Sequence, residues 1–511
     1  MKKIIAVFTA FIIAGCTSST QSEEQTTTDS NAEASADTVS YEFTDSDLDY
    51  SYDNASATSI KLSDGATVIE GDGASLDGDV VTISSEGVYV ISGTLSNGQI
   101  VIESDDQSKI QIVLSNVEIT SSDSAPIYVK QADKVFVTVE GTNNLATSGD
   151  YENDGDTNVD GVIFSKDDLT INGDGEMSIH GPANGIVSKD DLCLVGLTLD
   201  IDVGNHGLEA NDIIKIHSGQ YNISSDDDCL NSSNEEDASL GNVYILNGDF
   251  DLSSGDDGIH ATGSITIDGG EFSIDTSDDG VHSDVSLTVN GGTITVIDSY
   301  EGLESGDIII NDGVVNVTSS DDGVNVSGGN DSSGFGGGQD QFAVADGNLT
   351  INGGTVTVNA SGDGLDSNGS LIINGGQIYV SGPTNSGNGA LDYNSEGAIS
   401  GGSIIAIGAS GMDQTLSSST QGVIYYQFAS SYQTGSLVEI YDSENNLLDS
   451  YTAQSAFNMV VVSNENLKEG NTYTIKIDGD DYTIELDSLA YGSPNSQGGQ
   501  RSMEPNSRRA I

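Results

Sequence analysis

Apolar and polar positions alternate along most of this chain, in runs too short for helices. The segments "VVTISSEGVYVISGTL" (80–95), "QIVIES" (99–104), "KIQIVLSNVEIT" (109–120), "PIYVK" (126–130) and "KVFVTVEG" (134–141) put Ile, Val or Leu at every second position between Gly, Asn, Asp and Ser turns. That alternation predicts strands. From Asp160 a longer period overlies it: Asp256-Asp257-Gly258-Ile259-His260 returns as Asp278-Asp279-Gly280-Val281-His282, and Asp268-Gly269-Gly270 returns as Asn290-Gly291-Gly292, both 22 residues on. Taking the Gly of each turn as origin gives Gly161, Gly185, Gly207, Cys229 (in the Gly slot), Gly258, Gly280, Gly302, Gly323, Gly364 and Gly389, with a commonest step of 22. The longer steps contain the polar insertions 231–239 and 328–345.

Two columns follow from that spacing. The residue after each origin is Val162, Ile186, Leu208, Leu230, Ile259, Val281, Leu303, Val324 and Leu365, an aliphatic ladder that only a fixed coil length keeps aligned. Nine or ten residues on, Asp268, Asn290, Asn311, Asn352 and Asn374 stand at equivalent turns, where stacked amides can bond one another. A short-strand repeat with glycine corners predicts a solenoid. The expected fold is all-β, a right-handed parallel β-helix of about ten coils and about 48 Å. From Leu416 longer alternating strands with hairpin turns predict a small antiparallel β cap over the open end, which would otherwise expose unpaired strand edges. The expected division is a lipoprotein signal at 1–16, a disordered Ser/Thr/Asp/Glu tether at 17–58, the β-helix at 59–415, the cap at 416–490 and a disordered tail at 491–511.

Charge narrows the partners. The 511 residues hold 81 acids against 14 Lys plus Arg, a formal charge of −67. Such a surface repels nucleic acid and anionic lipid. Lys2 and Lys3 precede the apolar run 4–13, and Ile13-Ala14-Gly15-Cys16 resembles a bacterial lipobox, which implies export, lipidation of Cys16 and a place on the outer cell surface. Membrane contact is then expected through that anchor alone, because no other stretch is long and apolar enough to span. Cys193 and Cys229 fall about two coils apart in different columns, too far for a disulfide. A monomer is expected.

Stacking also aligns acids. The position before each origin reads Asp160, Asn184, His206, Asp228, Asp257, Asp279, Glu301, Asp322, Asp363 and Asn388. The position two before adds Asp227, Asp256, Asp278 and Asp321; the position two after reads Glu209, Asn231, His260, His282, Glu304, Asn325 and Asp366. Charges about 5 Å apart repel by roughly 3 kcal/mol at an effective dielectric near 20. From 216 to 467 there is no Lys or Arg, but 36 Asp plus Glu. Carboxylates with amide and backbone oxygens are the hard-oxygen set that suits Ca²⁺, so several Ca²⁺ ions are expected on Asp227, Asp228, Asp256, Asp257, Asp278, Asp279, Glu301, Glu304, Asp321, Asp322, Asp363 and Asp366. His260, His282, Asn231, Asn325 and Tyr300 are the candidate sugar contacts.

The repeated "SDDDCLNSS", "GDDGIHATGSITIDGG", "SDDGVHSDVSLTVNGGTITV" and "SGDGLDSNGSLIINGGQIYVSGP" resemble the calcium-binding, carbohydrate-binding β-helix proteins among bacterial exported lipoproteins. That family is similar in fold to family 9 pectate lyases and is associated with cellulose and polygalacturonate; the resemblance implies a surface-anchored binder of plant cell-wall polysaccharide. Acidic pectin suits the charge, since a polyanion can sit on an acidic protein only through bridging cations. Cellulose suits it less: there is no Trp platform, leaving Tyr151, Tyr300, Phe335 and Tyr393. A calcium-dependent lyase would need a strong base beside the metal, and Lys215 is the one candidate. A purely structural or adhesive rod is the remaining alternative.

Overall fold

The computed structural model describes residues 41–494 apart from 106, 156, 235 and 328–346. The expected signal with Cys16, the tether up to residue 40, the loop 328–345 and the tail beyond 494 lie outside the described residues. The protein is all-β with large parallel sheets, and among the described residues α-helix is confined to Asp45–Leu48.

Three parallel ladders account for most strands. The first runs from Val80–Ile83 through Gln99–Glu103, Ile127–Gln131, Gly161–Ser165 and Asn184–Ser188 into three-residue strands: Leu208–Ala210, Leu230–Ser232, Ile259–Ala261, Val281–Ser283, Leu303–Ser305, Val324–Val326, Leu365–Ser367 and Leu391–Tyr393. The second includes Asn242–Ile245, Ser264–Ile267, Ser286–Val289 and Ile308–Ile310; the third includes Asp249–Ser254, Glu271–Thr276, Thr293–Asp298 and Val314–Ser319. The chain visits the three in turn and advances one strand per circuit. Ile259 pairs with Val281, Ile265 with Leu287 and Phe272 with Ile294, each 22 residues on.

That register stacks like on like. The nine residues of the aliphatic column are all fully buried, as are the interior positions of the other two ladders. Tyr221, Phe250 and Phe272 stack inside the third at centroid distances of 4.9 and 4.4 Å. Two origins need correction. Ile163, not Val162, pairs with Ile186, and Leu365 pairs with Leu391, so the last origin is Ala390 rather than Gly389. A turn whose length varies by one residue hides this in the sequence.

The origin favours Gly because of two neighbours, the carbonyl of the next coil's origin and the side chain across the core. A Cβ at Gly258 would stand 2.6 Å from the γ2 carbon of Ile274, and at Gly280 2.6 Å from a γ carbon of Val296. Gly207, Gly302, Gly323 and Gly364 likewise face Ile223, Val317, Val358 and Val380. The residues that break the Gly rule meet a different neighbour. Cys229 belongs to the coil where the facing column holds Leu252, which has no branch at Cβ, between Ile223 and Ile274. Ala390 belongs to the coil where Ala406 follows Val380. Cys193 and Cys229 are free and buried.

The NGG turns obey a backbone rule. The last glycine of each such turn, Gly270, Gly292, Gly313, Gly354, Gly376 and Gly402, has φ between +74° and +110°, a region costly for residues with a Cβ. The side chains before them form the expected amide ladder. Asn290 Nδ2 donates to Asp268 Oδ1 (2.7 Å), Asn311 to Asn290 (2.7 Å), Asn352 to Asn311 (2.8 Å) and Asn374 to Asn352 (2.9 Å).

Antiparallel pairing occurs at both ends. Thr58–Leu62 pairs with Val68–Glu70, and Ala74–Asp77 with Val80–Ile83. Phe457–Asn464 pairs with Ser403–Gly408, the last strand of the third ladder. A four-stranded sheet of Leu437–Tyr441, Leu447–Thr452, Thr472–Ile477 and Asp480–Glu485 follows. Tyr491, expected in the tail, pairs with Ile424.

Residues 41–58 are not a tether. Tyr41 stacks on Tyr244 at 4.9 Å, and Phe43 meets His217 edge-on at 5.0 Å. Asp47 is fully buried, accepting from Lys134 Nζ (2.8 Å) and Thr170 Oγ1 (2.7 Å). Burial opposes its charge, but Lys134, Thr170 and Thr44 hold its carboxyl well below the usual range. The segment has no apolar period; two aromatics and one ion pair dock it instead.

Candidate functional site

The first ladder has an outward column as well as an inward one. In its three-residue strands the outer two side chains enter the core, and the middle one faces away. The middle residues pair in the order Val187, Glu209, Asn231, His260, His282, Glu304, Asn325, Asp366 and Asp392. Beneath Val187 the same column holds Phe164 and Tyr128, packed with Ala125 and Val159. The column is therefore apolar at its start and ionisable afterwards, with Lys189 Nζ on Glu209 Oε1 (2.5 Å) at the boundary.

Five of the pre-origin acids are tied along the stack by one oxygen. Asp257 N–H donates to Asp228 Oδ1 (3.0 Å), Asp279 N–H to Asp257 Oδ1 (2.8 Å), Glu301 N–H to Asp279 Oδ1 (3.2 Å) and Asp363 N–H to Asp322 Oδ1 (2.5 Å). Gly389 N–H donates likewise to Asp363 Oδ1. The second oxygen of each Asp remains beside the outward column. His206 Nδ1 lies 3.3 Å from Asp228 Oδ2, and His206 Nε2 3.7 Å from Asp227 Oδ2. Asn231 bridges His206 (2.9 Å) and His260 (3.2 Å). Asn325 Nδ2 donates to Glu301 Oε2 at 2.6 Å.

Burial and mutual repulsion push these acids up. Asp322 and Glu304 rise to about 8, Asp366 to about 7, and Asp363 and Asp256 to about 6. Burial is the largest cause in all five; neighbouring carboxylates add to it, Asp363 and Asp366 for Asp322, and Asp363 and Asp392 for Asp366. Asp257 and Glu301 are displaced upward in the same way. His282 goes the other way from its burial: Asp279, Asp284, Asp257 and Glu304 outweigh desolvation and raise it to about 11.

The chain matches the family described as carbohydrate-binding domain-containing protein over residues 77–323 and 277–424. It belongs to that family. A carbohydrate-binding domain-containing protein of Acetivibrio thermocellus is 35% identical over 130 residues, 24% of this chain and 46% of that protein. The chain thus spans about half the length of this curated relative. A solved structure, a gadolinium derivative of the polysaccharide lyase-like protein from C. thermocellum, is similar at 28% identity, covering 51% of this chain and 96% of that one with a TM-score of 0.39.

In this carbohydrate-binding domain protein twelve of the seventeen expected metal and sugar residues fall on one ladder in two neighbouring rows. Asp228, Asp257, Asp279, Glu301, Asp322 and Asp363 form the turn row; Asn231, His260, His282, Glu304, Asn325 and Asp366 form the strand row. Asp227, Asp256, Asp278 and Asp321 lie outside them, with Asp256 exposed. Tyr300 is half-buried, and its hydroxyl is pushed up by a hydrogen bond to Asp321 and by burial. Lys215 is not beside Asp227 and Asp228. It sits on the second ladder with Nζ 3.3 Å from Asp191, because its strand pairs with Asp191–Val203 there.

Several residues escaped the sequence reading. Asp392 continues the strand row and accepts from Gln414 Nε2. Asp284 approaches His282 Nε2 at 3.3 Å. Asp168, Asp190 and Asp191 gather on the second ladder, where burial and Asp168, Asp212 and Asp191 raise Asp190 to about 7. Their signal was legible, since Ser165-Lys166-Asp167-Asp168-Leu169 returns as Ser188-Lys189-Asp190-Asp191-Leu192.

Proposed function

We propose that this protein is an exported receptor, lipid-anchored through Cys16 on the outer cell surface, that captures acidic plant cell-wall polysaccharide through calcium. In this reading the three ladders wind as a right-handed parallel β-helix. Ca²⁺ ions sit along the two acidic rows, and the polysaccharide's carboxylates complete their coordination. The observation that carries it is the crowding of Asp322, Asp363 and Asp366, with Asp392 next in the strand row, on a stretch of chain that supplies no Lys or Arg. The donors fit Ca²⁺: carboxylate oxygens near amide and backbone oxygens, with one oxygen of each turn Asp already positioned by a backbone N–H. His260, Asn231 and Asn325 within the strand row, and Tyr300 near it, are the side chains that could bond sugar hydroxyls; His282, expected among them, is buried against carboxylates instead.

A calcium-dependent lyase is supported less, because the one basic candidate for proton abstraction, Lys215, is engaged with Asp191 on another ladder. A structural rod would keep the cations and lose the sugar. A pull-down against polygalacturonate, cellulose and xylan, with Ca²⁺ and with EGTA, separates these. Retention on polygalacturonate that chelation abolishes is the expected result. Retention indifferent to chelation would overturn cation bridging, retention on none of the three would leave the rod, and unsaturated products from polygalacturonate would favour the lyase.

A further inference from the structure

The strand row is not uniform, and its middle differs in chemistry from its end. His282 is 4% exposed and Glu304, its partner on the next coil, 2%. Around His282 Nδ1 stand three carboxylate oxygens: Asp279 Oδ2 at 3.1 Å, Glu304 Oε2 at 3.5 Å and Asp257 Oδ2 at 3.8 Å. The Oδ1 atoms of Asp257 and Asp279 each accept a backbone N–H from the following coil, which leaves their Oδ2 atoms toward the imidazole. Ionised, Glu304 Oε2 is buried and has no donor; it can bond Asp279 only by taking up a proton itself. A proton on Nδ1 can bond only one of these oxygens, Asp279 Oδ2, and would leave Glu304 Oε2 unmet.

On the far side of the ring, Nε2 lies 3.3 Å from Asp284 Oδ1. A carboxylate that takes the Nε2 proton fixes the tautomer whose Nδ1 lone pair faces the three oxygens, the usual second-shell arrangement of a metal-bound histidine. The spacing agrees. With bonds of about 2.1 Å, the edge of a tetrahedron of ligands is about 3.4 Å, and the three distances from Nδ1 bracket that value. Ca²⁺ fits poorly here, since it takes about six to eight oxygens and this closed position offers three with a nitrogen. Imidazole with carboxylates suits Zn²⁺ and its neighbours in the transition series.

We propose that Asp257, Asp279, His282 and Glu304 form a single site for a transition-type divalent cation of the Zn²⁺ class, with Asp284 as the residue that positions the imidazole. The site rests neither on the calcium reading nor on polysaccharide capture. It would pin three successive coils at the middle of the acidic edge.

The test is titration of the metal-stripped full chain with Co²⁺, Zn²⁺ and Ca²⁺, read by calorimetry and by the visible spectrum of the Co²⁺ form. One equivalent of Co²⁺ or Zn²⁺ should bind at least a hundredfold tighter than Ca²⁺ does there, with ligand-field bands that survive millimolar Ca²⁺. Asp284→Asn removes no ligand and should weaken this binding about 10- to 100-fold; His282→Gln should abolish the bands. The proposal falls if Co²⁺ binds no tighter than Ca²⁺, or if folded His282→Gln keeps the bands. Should His282→Gln fail to fold, an Asp284→Asn protein with unchanged Co²⁺ affinity overturns it instead. Nitrogen NMR showing both ring protons retained on His282 after metal addition also overturns it. Failure of the polygalacturonate pull-down with the Co²⁺ spectrum intact would count against polysaccharide capture alone.

Discussion

Two polar columns run along this protein and meet the same stacking problem in opposite ways. At the NGG turns, Asn290, Asn311, Asn352 and Asn374 each give an amide proton to the coil before, and each accepts a proton from the coil after, an amide one for the first three and the Ser400 hydroxyl for Asn374. An amide is donor and acceptor at once, so identical copies satisfy one another and the column needs nothing from outside. At the Asp-Gly turns and the strands beside them, a carboxylate only accepts. Asp228, Asp257, Asp279 and Asp322 each use one oxygen on a backbone N–H of the next coil; the other faces His206 or His282 in the first three and stands among further carboxylates around Asp322. Repetition that stabilises the amide column charges the acidic one. A stack of identical groups closes on itself only when the group complements its own copy; otherwise its charge must be met from elsewhere, by a proton, a histidine or a cation.

That contrast can be broken experimentally, most strongly by removing metal. Chelation should lower the melting temperature and abolish polygalacturonate retention together. Each Ca²⁺ held at about a hundredfold over its Kd contributes about 2.7 kcal/mol, so calorimetry with Ca²⁺ and with EGTA should show a large gap, and coincident scans would dissolve the contrast.

The pH response should be next in size. Asp363, Asp366, Asp322 and Glu304 are raised to between about 6 and about 8, above their unfolded values near 4. Stability from groups raised in this direction is fully present below the unfolded pKa and lost as pH climbs through the folded values. The metal-free protein should therefore melt progressively lower from pH 5 to pH 9. In Ca²⁺ the trend should flatten or reverse, because deprotonated acids are the ones that bind. A metal-free melting temperature that rises over this range would contradict the crowding.

Asp322→Asn sharpens the comparison at one residue by making the acidic column locally resemble the amide one. Asn keeps the acceptor for Asp363 N–H and removes only the charge. At pH 9 without metal the variant should be more stable, by about 1–3 kcal/mol on the scale of one close carboxylate pair, and with Ca²⁺ it should be less stable. Thermal melts under both conditions check the change of sign.

The smallest effect belongs to the amide column. Asn311→Ala breaks two exposed hydrogen bonds, to Asn290 and from Asn352, and should cost about 0.5–1.5 kcal/mol, equally in Ca²⁺ and in EGTA. A calcium-dependent cost would mean the two columns are not independent.

Much of this was legible in the chain because repetition converts sequence spacing into spatial order. Ile259, Val281 and Leu303, at steps of 22, could only be an aligned buried column, and the Asp before each origin had to stack with them. The same logic placed His282 beside Asp279. It could not place Asp284 on the far ring nitrogen, since that depends on how the turn after the three-residue strand folds back. Nor could it dock Tyr41, Phe43 and Asp47, whose partners Tyr244, His217 and Lys134 are more than eighty residues away and follow no period.

By itself the sequence determined the coil length, the aliphatic interior, the amide ladder and the alignment of acids, all consequences of period and residue type along a single axis. Tertiary structure alone decided what happens between axes. It put Lys215 on the second ladder with Asp191 rather than beside Asp227. It let Cys229 occupy a glycine position, with its Sγ accepting from Ser225 Oγ at 3.3 Å and reaching Ile223 O at 3.4 Å. It closed His282 and Glu304 against Asp257 and Asp279 tightly enough to leave one carboxylate oxygen without a donor. Contacts along the stack repeat at one interval and can be counted; contacts across it depend on the volume and direction of single side chains, which no interval encodes.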